Sequence, residues 1–150
     1  MPENLFKEKI KNRTLSYKTL TELTTQFQTS LTATAIRYVK FTKEYALVYS
    51  ANGLIKWCVK GKDFPFYISP GKLSEESFAI EFFKKNEMPT AFQTVPLSAW
   101  ADNFSRNREI EELSIPLPYY HSVLSFLYSE EGADDEDEDV GALDGYLKFR

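Results

Sequence analysis

The dipeptide Asn52-Gly53 constrains the fold of this chain most, because it lies between two runs of strand-forming residues. The runs are YALVYS at 45–50 and LIKWCV at 54–59. Both Asn and Gly tolerate the positive φ of a type I′ turn, which matches the twist of the strands that it connects. The sequence therefore predicts a β-hairpin near the centre of the chain.

Two helices are predicted before this hairpin. Ser16 and Ser30 each precede apolar residues that recur at three- and four-residue steps, and serine is a favoured N-cap. We expect one helix over about 17–27 and another after Ser30, with a short turn between them. This pair, at 17–41, is a helix-turn-helix candidate. Its second helix carries the side chains whose chemistry suits contact with DNA or a protein partner: Thr32, Thr34, Arg37, Tyr38 and Lys40.

One extended segment and one helix are predicted directly after the hairpin. Residues 63–68 (DFPFYI) are expected to form a third extended segment, which Pro65 bends or confines to a sheet edge. Ser74 is expected to cap a helix over about 75–85. The apolar stripe of that helix is predicted to enter the core through Phe78, Ala79, Phe82 and Phe83.

The remaining apolar runs complete a mostly antiparallel sheet. One strand is predicted at 94–101 and one or two at 113–129, broken near Pro116 and Pro118, with a polar segment at 102–112 between them. The fold class is therefore α+β. A helical, helix-turn-helix-like segment precedes an antiparallel sheet with one or more packed helices.

Charge is distributed unevenly along the chain. Residues 130–150 contain nine acids and two bases, with six consecutive acids at 134–139, and such a run is typical of a disordered tail. The tail could solubilise the protein, bind divalent cations loosely, or mimic a polyanion that competes for a basic partner surface. The first fifteen residues are compatible with a short helix or a basic arm. The predicted regions are the helical segment 1–43, the sheet and helix region 44–129, and the acidic tail 130–150.

Composition limits the chemistry of this chain. A catalytic zinc needs about three protein ligands, and the chain has a single histidine and a single cysteine. We expect His121 at the edge of a strand or loop, and Cys58 as a buried structural thiol. Neither a phosphate-binding loop nor a dinucleotide fingerprint occurs. The paired carboxylates are interpreted as solvated surface: Glu75 with Glu76, and Glu111 with Glu112. We predict no catalytic residue, metal ligand or cofactor.

Aromatic side chains provide the other candidate site. Five of them could line a pocket for a small ligand or a partner, with core packing as the alternative: Trp57, Phe64, Phe66, Tyr67 and Trp100. No run approaches the roughly 18 apolar residues that span a bilayer. The charged N-terminus also lacks the apolar stretch of a secretion signal. We therefore expect a cytoplasmic protein that does not contact membranes.

Four segments resemble the C-terminal portion of ImmA/IrrE-family zinc metallo-endopeptidases: FQTSLTATAIRYVKFT (27–42), GLIKWCVKGKDFPF (53–66), VPLSAW (95–100) and LPYYHSVLSFL (117–127). In that family, a catalytic domain with a His-Glu-x-x-His helix precedes a segment of helix-turn-helix type. The more variable C-terminal region resembles a sensory GAF fold in some members. Met1-Pro2 would fall at the junction between the catalytic domain and the helix-turn-helix segment. The resemblance does not extend to the acidic tail.

Because the His-Glu-x-x-His helix would lie before Met1, the resemblance implies no catalytic residue in this chain. It implies a non-catalytic regulatory or substrate-recognition module. A longer parent would be a zinc metallo-endopeptidase that cleaves a transcriptional repressor, so the implied partner is the repressor or the peptidase domain. A small ligand stays open as a partner, as does DNA, which a transcriptional regulator would bind through the 17–41 helices.

Overall fold

The computed structural model describes residues 15–28, 30–68, 70–85, 91–101, 108–117 and 120–129. Over these ranges the protein is α+β, as predicted, with helices packed on a curled, six-stranded antiparallel sheet. The helices are α1 (Tyr17–Phe27), α2 (Leu31–Thr42) and α3 (Ala79–Lys85). The strands are β1 (Tyr45–Ala51), β2 (Leu54–Lys60), β3 (Gly71–Lys72), β4 (Gln93–Pro96), β5 (Glu109–Leu117) and β6 (Ser122–Tyr128), and a 3₁₀ turn (Leu97–Ala99) follows β4.

Two hairpins, β1–β2 and β5–β6, meet at the centre of the sheet. The strand order is β3-β2-β1-β6-β5-β4, and every neighbouring pair is antiparallel. Asn52 and Gly53 have φ angles of 54° and 82°, as a type I′ turn requires, so the predicted β1–β2 hairpin is confirmed. The Asn52 N–H donates to the His121 carbonyl oxygen at 3.2 Å, which holds the two hairpin turns together at one end of the sheet.

Both predicted N-terminal helices are confirmed, together with their serine caps. The Ser16 hydroxyl accepts a hydrogen bond from the Thr19 N–H at 3.1 Å, and the Ser30 hydroxyl accepts one from the Ala33 N–H at 3.0 Å. Gln28 ends α1 in the left-handed conformation, with φ 55°. Local capping therefore determines where these helices begin, because the first N–H groups of a helix lack partners within it.

Helices α1 and α2 cover one face of the sheet, which we call the helix face. Each large apolar side chain buried there contributes about 1.5–3 kcal/mol by leaving water. The buried side chains come from both helices and from the central strands: Leu20, Leu23, Ala35, Tyr38, Val39, Leu47, Leu113, Ile115, Leu124 and Phe126. The helical segment and the sheet thus share one hydrophobic core.

The opposite face, which we call the loop face, is covered by α3 and by the segments 61–68 and 97–101. Small side chains of the sheet point to this face: Ala46, Val48, Ser50, Ser114, Val123 and Ser125. Large side chains of the covering segments pack on them: Phe64, Ile68, Phe82, Leu97 and Trp100. The small residues leave the depth that the aromatic rings fill, as close packing requires.

The segment 63–68 differs from its prediction. It forms no strand of the sheet, and its only pairing is the isolated bridge between Ile68 and Ala101 among the described residues. Phe64 and Ile68 instead cover the loop face. The prediction of a third extended segment was wrong as to pairing, because a short apolar run does not reveal whether it joins a sheet or lies over one.

The predicted strand at 94–101 is confirmed only for its first part. Strand β4 ends at Pro96, and the chain then forms a 3₁₀ turn that buries Leu97. The Trp100 N–H donates to the Leu97 carbonyl oxygen at 3.0 Å. The turn lets Trp100 pack on the loop face of the sheet. The local sequence does not show this packing, because the residues that Trp100 meets lie elsewhere in the chain.

The predicted helix at 75–85 begins later than expected. Helix α3 starts at Ala79, and the preceding residues form a separate turn in which the Ser77 N–H donates to the Ser74 carbonyl oxygen at 3.1 Å. The predicted apolar stripe is confirmed, because its four residues belong to the loop-face core or pack against it: Phe78, Ala79, Phe82 and Phe83.

The segment 113–129, predicted to form one or two strands, contains most of β5 and all of β6. Pro116 does not break β5, since it pairs with Val123 near the end of that strand. Strand β5 begins at Glu109, so the last residues of the predicted polar separator 102–112 belong to the sheet. The separator was therefore predicted too long.

Several predictions fall outside the described residues. They concern the N-terminal helix or basic arm and the acidic tail 130–150, and the GAF-like arrangement also stays a prediction. Among the helices that the structure describes, none is long and apolar enough to cross a membrane.

Candidate functional site

The candidate site contains an acid inside the protein: Glu112 has only 1% of its surface exposed. It lies on β5, where successive side chains point to opposite faces of the sheet. Glu111 is therefore exposed, whereas Glu112 lies on the loop face beneath α3. The prediction that both carboxylates are solvated was wrong for Glu112, because α3 and the 3₁₀ turn cover that face.

Four donors converge on the Glu112 carboxylate. Its Oε1 accepts hydrogen bonds from the Phe78 N–H and from the Trp100 indole Nε1–H, each at 3.0 Å. Its Oε2 accepts from the Ala79 N–H at 2.8 Å and from the Ser114 hydroxyl at 2.5 Å. One side chain thus joins β5 to the beginning of α3 and to the segment after β4.

The carboxylate also replaces the predicted cap of α3. The first N–H groups of a helix need external acceptors, and a negative charge is favourable beside them. Glu112 meets both needs at Phe78 and Ala79. The Ser74 hydroxyl instead accepts from the Glu76 N–H at 3.0 Å within the preceding turn. The predicted Ser74 cap was wrong: Glu112 accepts the Phe78 and Ala79 N–H groups, and the Ser77 hydroxyl accepts the Ile80 N–H at 3.3 Å.

Burial raises the pKa of Glu112 above its ordinary value, because the anion loses its hydration inside the core. The hydrogen bonds from Ser114, Phe78, Trp100 and Ala79 act in the opposite direction, since each of them stabilises the anion. Burial is the larger effect. The carboxyl group therefore keeps its proton to a higher pH than an exposed glutamate does.

Buried hydroxyl groups continue from Glu112 across the loop face. The Ser114 Oγ lies 2.7 Å from the Ser125 Oγ on β6. Ser50 lies on the same face of β1, and its fully buried hydroxyl has no hydrogen-bond partner among the described residues. The arrangement holds the covering segments on the sheet and can take up a proton at Glu112.

His121 lies in a turn at the end of a strand, as predicted, whereas Cys58 is half-buried and not fully buried as expected. Cys58 lies on the loop side of β2, and burial raises the pKa of its thiol to about 11, against a smaller opposing effect of Lys60. Such a thiol stays protonated near neutral pH and reacts slowly.

His121 lies in the exposed β5–β6 turn, with its ring centroid 5.3 Å from that of Phe83. The part of the chain that the structure describes contains no cluster of three His, Cys, Asp or Glu able to hold a metal.

The packing of α2 divides the side chains predicted to contact DNA or a partner. Thr34 is completely buried and Tyr38 almost completely, because that side of α2 packs on α1 and the sheet. The predicted contact is therefore wrong for these two residues. Lys40 is exposed, and Thr32 and Arg37 are partly exposed.

The five aromatics predicted to line a pocket do not come together. Trp57 packs against the helix-face core. The others lie elsewhere: Phe64, Phe66 and Trp100 belong to the loop-face core or pack against it, and Tyr67 is 64% exposed. The prediction of a shared pocket was wrong, because the sheet lies between Trp57 and the loop-face aromatics.

Most of the outer edge of strand β2 has no strand beside it among the residues that the structure describes. Strand β3 pairs with Leu54 and Ile55 and extends no further. The Gly61 N–H donates to the Tyr45 carbonyl oxygen at 2.8 Å, and in this register every second residue from Trp57 to Gly61 bonds to β1. The register shifts at Lys56, which has no partner on β1. Cys58, at an intervening position, therefore directs its backbone N–H and C=O away from β1, where the described residues supply no further strand.

The side chains along this edge are of two kinds. Trp57 and Val59 are half-buried and pack against the helix-face core. Lys56 and Lys60 are exposed, and the Lys60 ammonium donates to the Phe66 carbonyl oxygen at 3.0 Å. Strand β2 itself contains no acid.

These features define an α+β protein whose sheet is covered on both faces and, among the described residues, has no strand beside most of β2. No family model matches the chain, and no curated protein matches it. The geometry of Glu112 and of the β2 edge is therefore the basis for a proposal about function.

Proposed function

We propose that this chain is a non-catalytic regulatory or substrate-recognition module that binds a protein partner along the open edge of β2. The observation that carries the proposal is the backbone of Cys58, whose N–H and C=O point away from β1. An extended segment of another protein can add to such an edge through main-chain hydrogen bonds. The resemblance to ImmA/IrrE-family proteins implies that the partner is a transcriptional repressor or a zinc peptidase domain.

The packing of the sheet supports recognition at an edge. Helices α1 and α2 cover one face, and α3 with the loop segments covers the other. The opposite edge strand, β4, has four residues and ends at Pro96, which has no N–H to donate. The edge of β2 is therefore better suited to pairing with another strand.

The use of Glu112 supports recognition over hydrolysis. Both of its carboxylate oxygens hold the chain's own donors, so a substrate would have to displace α3 or Trp100 to reach them. In a longer parent, catalysis would come from a zinc metallo-endopeptidase domain. The present chain would then bring the repressor to that domain in the cytoplasm.

A DNA-associated regulator is the alternative that the sequence leaves open. It has less support, because α2 directs Thr34 and Tyr38 into the core and leaves few polar side chains for a groove. Titration with duplex DNA at about 50 and 200 mM salt separates the alternatives, since phosphate contacts make affinity fall steeply with salt. The recognition proposal expects no salt-dependent DNA binding.

Binding to purified partners tests the proposal. The full chain is titrated calorimetrically with an ImmA/IrrE-family catalytic domain encoded in the same genome, and separately with the repressor that this domain cleaves. We expect at least one of the two to bind with micromolar or tighter affinity. We also expect the domain to cleave the repressor faster when the chain is present. If neither protein binds, the proposed role is wrong.

A further inference from the structure

We infer that Glu112 takes up a proton on Oε2 and donates it to the Ser114 hydroxyl, while the segments that cover the loop face stay attached. This inference goes beyond the proposed recognition role and does not depend on it. Every carboxyl group binds a proton at sufficiently low pH. A buried one needs a neighbour that accepts the hydrogen bond of that proton, and Ser114 is assigned here as this positioning residue.

Among the described residues, one hydrogen-bond partner of the Glu112 carboxylate can accept as well as donate. Three of the four partners are N–H groups, which offer no lone pair: those of Phe78, Ala79 and the Trp100 indole. The fourth is the Ser114 hydroxyl, whose Oγ lies 2.5 Å from Oε2. A proton on Oε1 would face N–H groups only, so the proton belongs on Oε2.

Uptake of the proton reverses the direction of two hydrogen bonds. In the ionised state the Ser114 hydroxyl donates to Oε2, and the Ser125 hydroxyl can donate to Ser114. When a proton from solvent binds to Oε2, the new O–H group donates to the Ser114 Oγ. The Ser114 hydroxyl then turns to the Ser125 Oγ, which lies 2.7 Å away and can act as either partner. The exchange therefore requires only that hydroxyl groups rotate.

The covering segments stay attached through this reversal. A protonated carboxyl group has one O–H donor and keeps acceptor capacity on its oxygens. Oε1 becomes the carbonyl oxygen and still accepts from Phe78 and Trp100, while Oε2 still accepts from the Ala79 N–H at 2.8 Å. Helix α3 and the segment after β4 are therefore held on the sheet in both protonation states.

Charged side chains on the elements around Glu112 do not compete with Ser114 for this proton. Residues 93–101 and strand β6 carry no charged residue, and Tyr128 of β6 packs against Tyr45 on the helix face. The turn before α3, α3 itself and β5 carry the others: Glu75, Glu76, Glu81, Lys84, Lys85, Glu109 and Glu111. Within the described part of the chain, burial and the four donors are what shift the pKa of Glu112, and these charges are not among the causes.

Infrared spectroscopy of the full chain tests where the proton is donated. The C=O stretching band of neutral Glu112 is identified by its loss in Glu112→Gln, and it moves to higher frequency when the carboxyl group loses a hydrogen bond. We expect Ser114→Ala to shift the band upward, because the O–H group then has no acceptor. The matched control is Ser50→Ala, which removes another buried hydroxyl of the loop face and should leave the band unchanged. An unshifted band in Ser114→Ala would overturn the inference.

Nuclear magnetic resonance of the natural chain gives a readout that does not depend on a variant folding. The carboxyl carbon of Glu112 reports its titration, and hydrogen exchange of the Phe78, Ala79 and Trp100 indole N–H groups reports whether the cover stays attached. We expect their protection factors to differ by less than about tenfold on the two sides of the titration, since a lost hydrogen bond would cost at least about that factor. A larger loss at Phe78 or Trp100 would place the proton on Oε1 and refute the inference. A carboxyl group that does not titrate in the folded protein would also refute it.

Discussion

Trp100 and Glu112 are joined by a hydrogen bond of 3.0 Å from the indole Nε1 to the carboxylate Oε1, and both side chains are almost completely buried. The bond attaches the segment after β4 to β5. The same carboxylate accepts the Phe78 and Ala79 N–H groups, so it also attaches the beginning of α3. Glu112 is therefore the polar connection between the sheet and the segments that cover its loop face.

Replacing Glu112 by glutamine should destabilise the protein. An amide has one acceptor oxygen, and its NH₂ group would face two of the four donors. Because a buried group without a partner costs about 1–3 kcal/mol, we expect Glu112→Gln to lower the free energy of unfolding by about 2–4 kcal/mol. Urea unfolding in mildly acidic buffer, followed by tryptophan fluorescence, measures this. The exposed neighbour offers a matched control, since Glu111→Gln should change stability by less than about 0.5 kcal/mol. Equal losses in the two variants would contradict the role assigned to Glu112.

The contribution of Glu112 to stability should fall as pH rises. Burial raises the pKa of Glu112 in the folded protein above the ordinary value of 4.5. Above pH 4.5 the folded chain therefore holds its proton while the unfolded chain releases it. The stabilisation is complete below 4.5 and is lost as pH rises through the folded pKa. The difference in unfolding free energy between the natural chain and Glu112→Gln isolates this effect, and we expect it to decrease with pH. An increase would mean that the four donors outweigh burial.

The Cys58 thiol should react slowly in the folded protein. Its pKa is raised from 9.0 to about 11 by burial, so its thiolate fraction near pH 8 is about a hundredfold below that of the unfolded chain. We expect a disulfide reagent that reports on free thiols to react at least about a hundredfold faster in urea than in buffer. Cys58→Ala serves as the blank. Similar rates in urea and buffer would show that the thiol is not buried as described.

Two glycine substitutions should differ in their cost. A Cβ at Gly61 would overlap backbone atoms of Lys43, which cannot move without shifting the junction of α2 and β1. A Cβ at Gly53 would meet nothing, so only its φ of 82° opposes alanine there. We expect a loss of about 1 kcal/mol for Gly53→Ala and more than about 2 kcal/mol for Gly61→Ala. Thermal unfolding of both variants checks the order, and the reverse order would contradict the close approach of Gly61 to Lys43.

Elements with local causes could be predicted from the sequence, and elements with distant causes could not. The Asn52-Gly53 turn and the serine caps at Ser16 and Ser30 depend on neighbouring residues, and all three are confirmed. The beginning of α3 depends on Glu112, more than thirty residues further along the chain. The candidate site was missed for the same reason. Residues Glu109 to Glu111 alternate between polar and apolar as on a strand, but the sequence does not show that other segments cover the face on which Glu112 lies.

By itself, the sequence determined the two capped helices, the central hairpin, the α+β class and the apolar stripe of α3. Only the tertiary structure decided that Glu112 is buried, that Thr34 lies against α1 and that Trp57 is separated from the other aromatics. It also decided that the pairing of β3 with β2 extends no further than Ile55. The physical reason is the range of the interactions. Turn and cap geometry arises within a few residues, whereas the burial of a carboxylate and the opening of a sheet edge depend on which distant segments pack beside them.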